Sequence, residues 1–413
     1  MRLNEPGPLG FLEQREADNL LEFCDRNQLT GLLSRLPELP PCLREAVERR
    51  LEANEKRLAR IETEIFEICE QLERESIPYL MLKGLAQQHA CLPDPRLRVQ
   101  YDLDLYCPQA CVTQAWEAIR RAGYSPLAAR PGGPTDHLVP LIRKTAWEWR
   151  GDYFDPEIPL TVELHFRFWD EATEGCPAPG TESFWERRTR TQVAGRSIPV
   201  LHPADALAYS ALHVLRHLLR GSLRVCHVWE LAYQLDSEAG NHTFWQAWAR
   251  LHPRGLQQLE AISFRLAWAW FACRLSRVAE EAILRLPAAV GHWFERYAAS
   301  PVENFFHPNK DELALHVALL EGTSEQRRIV LRRLLPRRLP AGPTTAHMPE
   351  ADVTAAVRWR MRLSYAREVW HRAWRHLRTF PRAVWCVLEA LRVVRPGGQP
   401  AASRTRRAQR KAP

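Results

Sequence analysis

Residues 79–106 read YLMLKGLAQQHACLPDPRLRVQYDLDLY. The apolar run Tyr79–Leu82 is typical of a buried strand, and a second predicted strand, Tyr101–Tyr106, carries Asp102 and Asp104. Because side chains alternate between the two faces of a strand, both carboxylates must point to the same side. Two carboxylates on one face of an apolar strand repel each other, and burying them without a partner is costly. The pair therefore predicts a cation here, and a divalent metal ion is the simplest candidate.

A third strand is predicted at Leu160–Phe166, and its alternation places Glu163 and His165 on one face. Nucleotidyl transfer uses two metal ions about 4 Å apart, of which one activates the attacking oxygen and the other holds the triphosphate. Three carboxylates can hold such a pair. We expect Asp102, Asp104 and Glu163 to bind Mg²⁺ or Mn²⁺ and to act in catalysis, with Glu163 as a candidate general base.

Phosphate-binding candidates follow the first strand. Lys83 and Gly84 end this strand, and a helix predicted from Leu85 onward would direct its backbone N–H groups at a phosphate. Lys83 and Arg98 would neutralise phosphate charge. The alternatives are an exposed cation at the strand end for Lys83 and a loop charge paired with Asp94 or Asp102 for Arg98. Together with the carboxylates, these residues predict a site for a metal–nucleotide complex.

Two histidines, His213 and His217, are four residues apart and therefore share one face of a predicted helix. The spacing suits a metal ion or a phosphate, but the segment lacks the glutamate that zinc proteases place beside such a pair. Zinc binding, lining of a nucleotide pocket and a structural pair all stay open. We carry both as supporting site residues together with His165, which is best suited to be a hydrogen-bond partner of a metal-binding carboxylate.

The chain resembles the uncharacterised bacterial nucleotidyltransferases of the polymerase β-like superfamily. The elements that carry this resemblance follow one another in the family's order: Lys83-Gly84, Pro93-Asp94-Pro95, Arg98, Asp102-Leu103-Asp104, Glu163-Leu164-His165, Leu201-His202-Pro203-Ala204-Asp205 and the His213/His217 helix. The resemblance covers about residues 15–250, with a looser likeness through Leu331–Pro340. Most of the superfamily has Gly-Ser or Gly-Gly at the first motif, so Lys83-Gly84 is a departure that this branch shares.

The resemblance implies a minimal nucleotidyltransferase fold, Mg²⁺ dependence and the transfer of a nucleoside monophosphate from a nucleoside triphosphate such as ATP. It implies no particular acceptor, which could be a small molecule, a peptide or a saccharide. Arg224 and Glu230 are similar to polar positions of the family's helical segment, and we add Arg224 to the supporting site residues.

The composition is that of a globular, soluble protein, since 46% of the 413 residues are apolar. Ten cysteines lack the density of a disulfide scaffold and no secretory signal is recognised, so we expect reduced thiols and a cytoplasmic location. No apolar run approaches the roughly 20 residues of a membrane-spanning helix. Walker, dinucleotide-binding and serine-hydrolase motifs are absent, which disfavours those chemistries.

The predicted fold class is α+β, with a small mixed β-sheet nucleotidyltransferase core flanked by N-terminal and C-terminal helical regions. We expect five regions: 1–75, helical; 76–200, the α/β core; 201–330, a helical domain that completes the site; 331–396, basic and Arg/Trp-rich helices; and 397–413, a disordered basic tail.

The net charge of +8 is unevenly distributed. Residues 331–413 hold 19 basic and 4 acidic residues, which gives +15 and leaves −7 for the rest. Trp370, Trp374 and Leu377 follow helical spacing among these arginines. Packing or self-association, an anionic membrane surface, and a nucleic acid or acidic partner all fit residues 354–413. Two alternatives to an enzyme follow: a catalytically weak nucleotide-binding module, and an adaptor that acts through these basic helices.

Overall fold

The computed structural model describes residues 12–87, 92–127, 136–320, 322–336, 348–349 and 352–394. The chain divides into two compact units, Met1–Leu286 with Arg338–Trp374, and Pro287–Arg337 with Arg375–Pro413. The predicted basic tail, 397–413, lies outside the described residues. The division into five regions stays a prediction.

The N-terminal part of the first unit is helical. Its helices are α1 (Gln14–Arg26), α2 (Thr30–Leu33) and α3 (Pro41–Arg74). Proline suits the first turn of α3, because an N–H at that position would have no partner within the helix. Further along, Ile61, Ile65 and Ile68 repeat at helical spacing and are buried in the core that α3 shares with the sheet.

In the described part of the chain, a seven-stranded mixed sheet forms the centre of the first unit. Its strands are β1 (Leu80–Met81), β2 (Asp102–Tyr106), β3 (Tyr124–Pro126), β4 (Leu141–Arg143), β5 (Thr161–His165), β6 (Thr189–Val193) and β7 (Arg196–Val200). They lie in the order β3-β4-β5-β2-β1-β7-β6. The central strand β2 pairs antiparallel with β1 and parallel with β5. The predicted α+β class is therefore confirmed.

The two central strands have one apolar and one polar face. Leu103 of β2 and Val162 of β5 are fully buried in the core that α3 and α4 (Val112–Arg121) cover. The parallel register pairs Asp104 with Glu163. Since neighbouring side chains on a strand alternate, the acidic residues emerge on the face away from this core.

Helix α5 (Glu171–Glu174) lies between β5 and β6 in the chain, and further helices follow β7: α6 (Pro203–Arg220), α7 (Val225–Glu238), α8 (His242–Leu251), α9 (Arg254–Phe271) and α10 (Arg277–Leu284). Helix α6 begins at Pro203, because proline fits the first turn and Nδ1 of His202 accepts a hydrogen bond from the N–H of Ala204 at 3.2 Å. It ends at Gly221, which adopts the left-handed conformation (φ 67°) that turns the chain into α7.

The second unit contains α11 (Ala288–Tyr297), α12 (Ser300–Glu303), α13 (Glu312–Leu319) and α14 (Thr323–Leu334). Asp311 is completely buried there, and its carboxylate accepts hydrogen bonds from Ser300 and from Nε of Arg382 at 2.9 Å. The backbone carbonyl of Asp311 accepts a further bond from the indole of Trp293 at 2.8 Å. This hydrogen-bonded carboxylate ties several segments of the unit together.

The basic region forms one helix in the described residues, α15 (Ala355–Val394), where the sequence predicts several. No glycine or proline interrupts positions 355–380, so the helix has no reason to break there. This helix contributes residues to both units. Trp370 is 69% exposed and Leu377 is 66% exposed, so the predicted apolar stripe faces solvent. None of the helices in the described ranges is both long and apolar enough to cross a membrane.

Candidate active site

A cavity of about 370 Å³ lies in the first unit over the polar face of β2 and β5. Strand residues line one part of it, and α6 and α7 line another. Gly84 is not among the lining residues. The other residues that the sequence nominates all line the cavity: Lys83, Arg98, Asp102, Asp104, Glu163, His165, His213, His217, Arg224 and Glu230.

Asp104 has a cation or a donor at each carboxylate oxygen. Its Oδ2 lies 3.0 Å from Nζ of Lys83, and its Oδ1 lies 3.0 Å from Nε2 of His165. The same imidazole nitrogen is 3.7 Å from Oε2 of Glu163. Burial opposes the charge of Asp104, but Lys83 and His165 outweigh burial and lower the pKa of this carboxyl. Asp104 is therefore ionised at neutral pH.

The other two carboxylates differ from each other in acidity. Burial and the neighbouring charge of Asp104 raise the pKa of Asp102 to about 6. Burial would also raise the pKa of Glu163, but the charged imidazole of His165, whose Nε2 lies 3.7 Å from Oε2, outweighs burial and lowers this pKa. Burial would lower the pKa of the Lys83 ammonium, whereas the surrounding carboxylates raise it. Lys83 thus supplies a cation beside the carboxylates of β2, where the sequence had predicted a metal ion.

His165 lies between acidic groups on two sides. Its Nδ1 is 3.8 Å from Oδ2 of Asp136, and that oxygen lies 3.0 Å from Nη1 of Arg216. Burial would lower the pKa of His165, but the Tyr209 hydroxyl and the nearby carboxylates, of which Asp104 is hydrogen-bonded, raise it well above 6.5. The charged imidazole of His165 lies where we expect a hydrogen-bond partner of the Asp104 carboxylate. A role of His165 in catalysis stays a prediction.

Arg98 pairs with Glu230 rather than with an aspartate of its own loop, since its Nε lies 2.9 Å from Oε1 of Glu230. Its Nη1 is buried and has no hydrogen-bond partner within the described residues. The amide of Asn54 on α3 donates to the carbonyls of Arg96 and Arg98 at 2.7 and 2.9 Å. Helix α3 therefore holds the loop that brings Arg98 to the cavity.

Gly84 shapes the turn beside the cavity. Its φ of +71° is left-handed, and a Cβ at this position would lie 2.5 Å from Nε2 of Gln100. That nitrogen donates to the carbonyl of Asp102 at 2.9 Å. The first residues of the helix predicted from Leu85 form a 3₁₀ turn, Gly84–Gln87, and the continuation of that prediction over 88–91 lies outside the described residues.

Three histidines form a cluster on the helical side of the cavity. The ring centroid of His213 lies 4.4 Å from that of His217 and 4.6 Å from that of His227, and the last two are 5.1 Å apart. Nδ1 of His217 is 3.1 Å from the hydroxyl of Ser222. Burial, assisted by nearby positive charge, lowers the pKa of all three imidazoles, so they are neutral at pH 7.

Comparison with protein families matches residues 13–272 to a family described as uncharacterised nucleotidyltransferase. The chain belongs to this nucleotidyltransferase family. The predicted resemblance is therefore confirmed, and membership supports a general role in nucleotidyl transfer. The matched span contains every residue that lines the cavity and ends just after α9, before the second unit begins. No curated protein and no solved structure matches the chain.

Sequence reasoning missed three residues that line this cavity: Asp136, Arg216 and His227. His217 and His227 stand five residues before and after Ser222, in the turn between α6 and α7. Side chains equally far from the turn of a helical hairpin can meet, and this symmetry was the available signal for His227. No such signal marks Asp136, because its partners, His165 and Arg216, come from a strand and a helix that are distant in the chain.

Proposed function

We propose that the protein is a Mg²⁺-dependent nucleotidyltransferase, which transfers a nucleoside monophosphate from a nucleoside triphosphate to an acceptor that is still to be identified. The observation that carries the proposal is the register of β2 and β5, which pairs Asp104 with Glu163 across two parallel strands. Asp102 lines the same cavity and Lys83 contacts Asp104 there. The family membership supports the same class of reaction.

The donor atoms of this site fit a hard divalent cation. Asp104 and Glu163 each offer a carboxylate oxygen, and these two oxygens lie within 4.8 Å of each other, whereas the charged imidazole of His165 acts as a hydrogen-bond donor to Asp104. Carboxylate oxygens suit Mg²⁺ and Mn²⁺. Two such ions would activate the attacking oxygen and neutralise triphosphate charge. We assign Asp102, Asp104 and Glu163 to hold them, and the lowered pKa of Glu163 suits a ligand better than a general base.

In the proposed reaction, an acceptor oxygen forms a bond to the α-phosphorus of the nucleotide, and the bond from that phosphorus to the bridging oxygen of the β-phosphate breaks. Pyrophosphate leaves with the bond electrons, and the acceptor proton passes to a base or to water. Because the protein supplies little covalent chemistry to such a transfer, positioning dominates the rate. Arg98 and Arg224 line the cavity and would bind the triphosphate. Lys83 would leave its ion pair with Asp104 and contact a phosphate oxygen instead.

The direct test is incubation with each α-³²P-labelled nucleoside triphosphate, Mg²⁺ or Mn²⁺ and a cell extract that supplies acceptors. We expect Asp102→Asn/Asp104→Asn and Glu163→Gln to reduce label transfer by about 100-fold or more, as loss of ligand groups does in other metal sites. Glu117→Gln is the matched control, because this α4 carboxylate lies outside the cavity and pairs with Arg120. Label transfer that survives the double substitution would reject the site, and ATP binding without any transfer would favour the nucleotide-binding module.

A second candidate function rests on the part of α15 in the first unit. Trp359 is 61% exposed and Trp370 is 69% exposed, and eleven residues separate them, so they lie on one helix face. Arg358, Arg362 and Arg367 are exposed around them. Exposed tryptophan among arginines is typical of helices that lie on an anionic lipid surface. We therefore propose that this segment binds an anionic membrane.

The test is co-sedimentation of the full chain with phosphatidylglycerol vesicles and with phosphatidylcholine vesicles. Binding to the anionic vesicles alone, weakened by Trp359→Ser/Trp370→Ser, is expected. Trp149→Ser is the control, because Trp149 is 51% exposed outside α15. Absence of vesicle binding, or binding that the double substitution leaves unchanged, would contradict a membrane role.

A further inference from the structure

The histidine cluster has no part in the proposed transfer, although it lies in the same cavity. His213 and His217 come from α6 and His227 comes from α7, so two helices must pack correctly for the cluster to exist. The three residues offer ring nitrogens that all lie within 4.8 Å of one another. The cluster is therefore compact enough for its members to contact one small ligand at the same time.

Three neutral imidazoles are the donor set of a transition-metal ion rather than of Mg²⁺. Zinc–nitrogen bonds of about 2.0–2.1 Å in a tetrahedral arrangement need nitrogen atoms about 3.4 Å apart, which falls within the span of this cluster. Three protein ligands with a fourth position open to a cavity are the pattern of reactive zinc sites, whereas structural zinc sites have four protein ligands. The fourth position here faces the cavity that the three histidines line.

The surroundings of two rings support a ligand at this point. Ser222 lies 3.1 Å from Nδ1 of His217, which leaves Nε2 of that ring to face a ligand. Nδ1 of His227 is buried and has no hydrogen-bond partner within the described ranges. Buried polar atoms are satisfied in most proteins, so a nitrogen without a partner next to two further imidazoles calls for an explanation.

The positive charges near the histidine cluster do not prevent a cation from binding there, because most of them are paired with carboxylates. Lys83 contacts Asp104, Arg216 contacts Asp136, and Arg220 contacts Glu174. Each of these ion pairs reduces the field that its cation exerts on the cluster. The remaining repulsion lowers the affinity for a metal ion, and an anionic oxygen in the fourth position would offset it.

We propose that His213, His217 and His227 bind one Zn²⁺ ion, at a site separate from that of the carboxylates. The two sites would differ in chemistry, since one offers imidazole nitrogens and the other offers carboxylate oxygens. They share the cavity, so a substrate held by one is within reach of the other. Zinc binding does not depend on the proposed nucleotidyl transfer, and either proposal can fail alone.

The test uses the full chain, freed of metal with a chelator and then titrated with Zn²⁺ in excess Mg²⁺ by calorimetry. We expect one Zn²⁺ per chain in the wild type, and an affinity about 100-fold lower in His227→Gln and in His213→Gln. Ser222→Ala, which removes the partner of His217 but no ligand, should weaken binding by about tenfold. His242→Gln should bind Zn²⁺ as the wild type does, since His242 is exposed on α8 and outside the cavity.

Co²⁺ provides a second measurement, because four-coordinate Co²⁺ absorbs strongly in the visible range. The band should appear in the wild type and in His242→Gln and be lost in His227→Gln. Zn²⁺ should also raise the melting temperature of the wild type but not that of His227→Gln, and the far-ultraviolet circular dichroism of the variant shows that it folds. Equal zinc affinity in the wild type and both histidine variants, or absence of zinc binding by the wild type, would overturn the proposal.

Discussion

Nζ of Lys83 lies 3.0 Å from Oδ2 of Asp104, and both side chains are largely withdrawn from solvent. The ammonium thus takes the place beside Asp104 that a bound cation would need. Two positive groups cannot occupy it together without strong repulsion, so binding of an ion must displace Lys83. The released ammonium would then be available to a phosphate oxygen of the nucleotide that accompanies the ion.

Lys83→Met removes the ammonium group and leaves the buried carboxylate of Asp104 without this ion-pair partner. We expect the free energy of unfolding at pH 7 to fall by about 3 kcal/mol, measured by urea denaturation. Mg²⁺ should restore part of this loss, because the variant has no ammonium to compete with the ion. Arg120→Met, which breaks a half-exposed pair with Glu117, should cost less than about 1 kcal/mol. Similar losses in the two variants would show that the buried Lys83–Asp104 pair stabilises the protein no more than the half-exposed Arg120–Glu117 pair does.

Gly84→Ala should destabilise the protein more than Gly123→Ala. Both glycines have positive φ, +71° and +94°, so alanine is strained at each. A Cβ at Gly84 also meets the side chain of Gln100, whereas a Cβ at Gly123 meets nothing within 4 Å. We expect losses of about 1 kcal/mol at Gly123 and about 2–3 kcal/mol at Gly84 in thermal or urea unfolding. The prediction fails if the two losses are equal.

Arg224→Gln should weaken nucleotide binding without changing stability. Arg224 lines the cavity and forms no ion pair with any residue that the structure describes. Loss of one charged hydrogen bond to phosphate should raise the Kd of the nucleotide about tenfold, measured by calorimetry. Arg98→Gln should weaken binding and also lower the free energy of unfolding by about 2 kcal/mol, because it leaves Glu230 without its partner. A stability loss in Arg224→Gln, or unchanged binding, would contradict its assignment to phosphate.

His252 should make the stability of the protein depend on pH. Its ring nitrogens lie 3.0 Å from Asp205 and 3.0 Å from Glu260. Burial would lower the pKa of His252, but the two carboxylates raise it from 6.5 to about 9. Because the folded-state pKa is above the unfolded one, this stabilisation is complete below about pH 6.5 and is lost as the pH rises through about 9.

The raised pKa of His252 corresponds to about 3 kcal/mol of unfolding free energy. Urea denaturation of the wild type and His252→Gln across this interval measures it, and the difference between the two proteins should shrink as the pH rises. A difference that is the same at every pH would show that the charge of His252 contributes nothing.

The strands that carry the site were predictable because their patterns are local. Apolar residues alternate with Asp102 and Asp104 in β2 and with Glu163 and His165 in β5, and the structure contains both strands within one residue of the predicted ends. The helix start at His202 was equally local, because proline and a capping side chain act within one turn.

Strands β3, β4, β6 and β7 were missed. β3 and β4 have three residues each, β6 is polar and mostly exposed, and β7 is buried only over residues 198–200, so none of the four has a hydrophobic pattern long enough to recognise. The turn between β6 and β7 carried one signal, since Gly195 suits the positive φ of a tight hairpin, whereas Ala194 adopts a positive φ that alanine disfavours.

Contacts between distant segments explain what was missed in the site. Arg98 was expected to contact a phosphate or an aspartate nearby in the sequence, and its partner Glu230 lies 132 positions further along the chain. The pairing of Asp136 with His165 and Arg216 depends likewise on how a loop, a strand and a helix pack together. Tertiary packing decides such contacts, and spacing in one sequence does not report it.

The exposed tryptophans of α15 also determine how the purified protein can be observed. Trp359, Trp370, Trp374 and Trp385 are between 50% and 69% exposed, whereas Trp229, Trp248 and Trp293 are fully buried. Indole emission shifts to longer wavelength in water, so the red part of the fluorescence spectrum reports mainly on exposed tryptophans and the blue part on the interior. Quenching by iodide would separate the two populations optically without any added label.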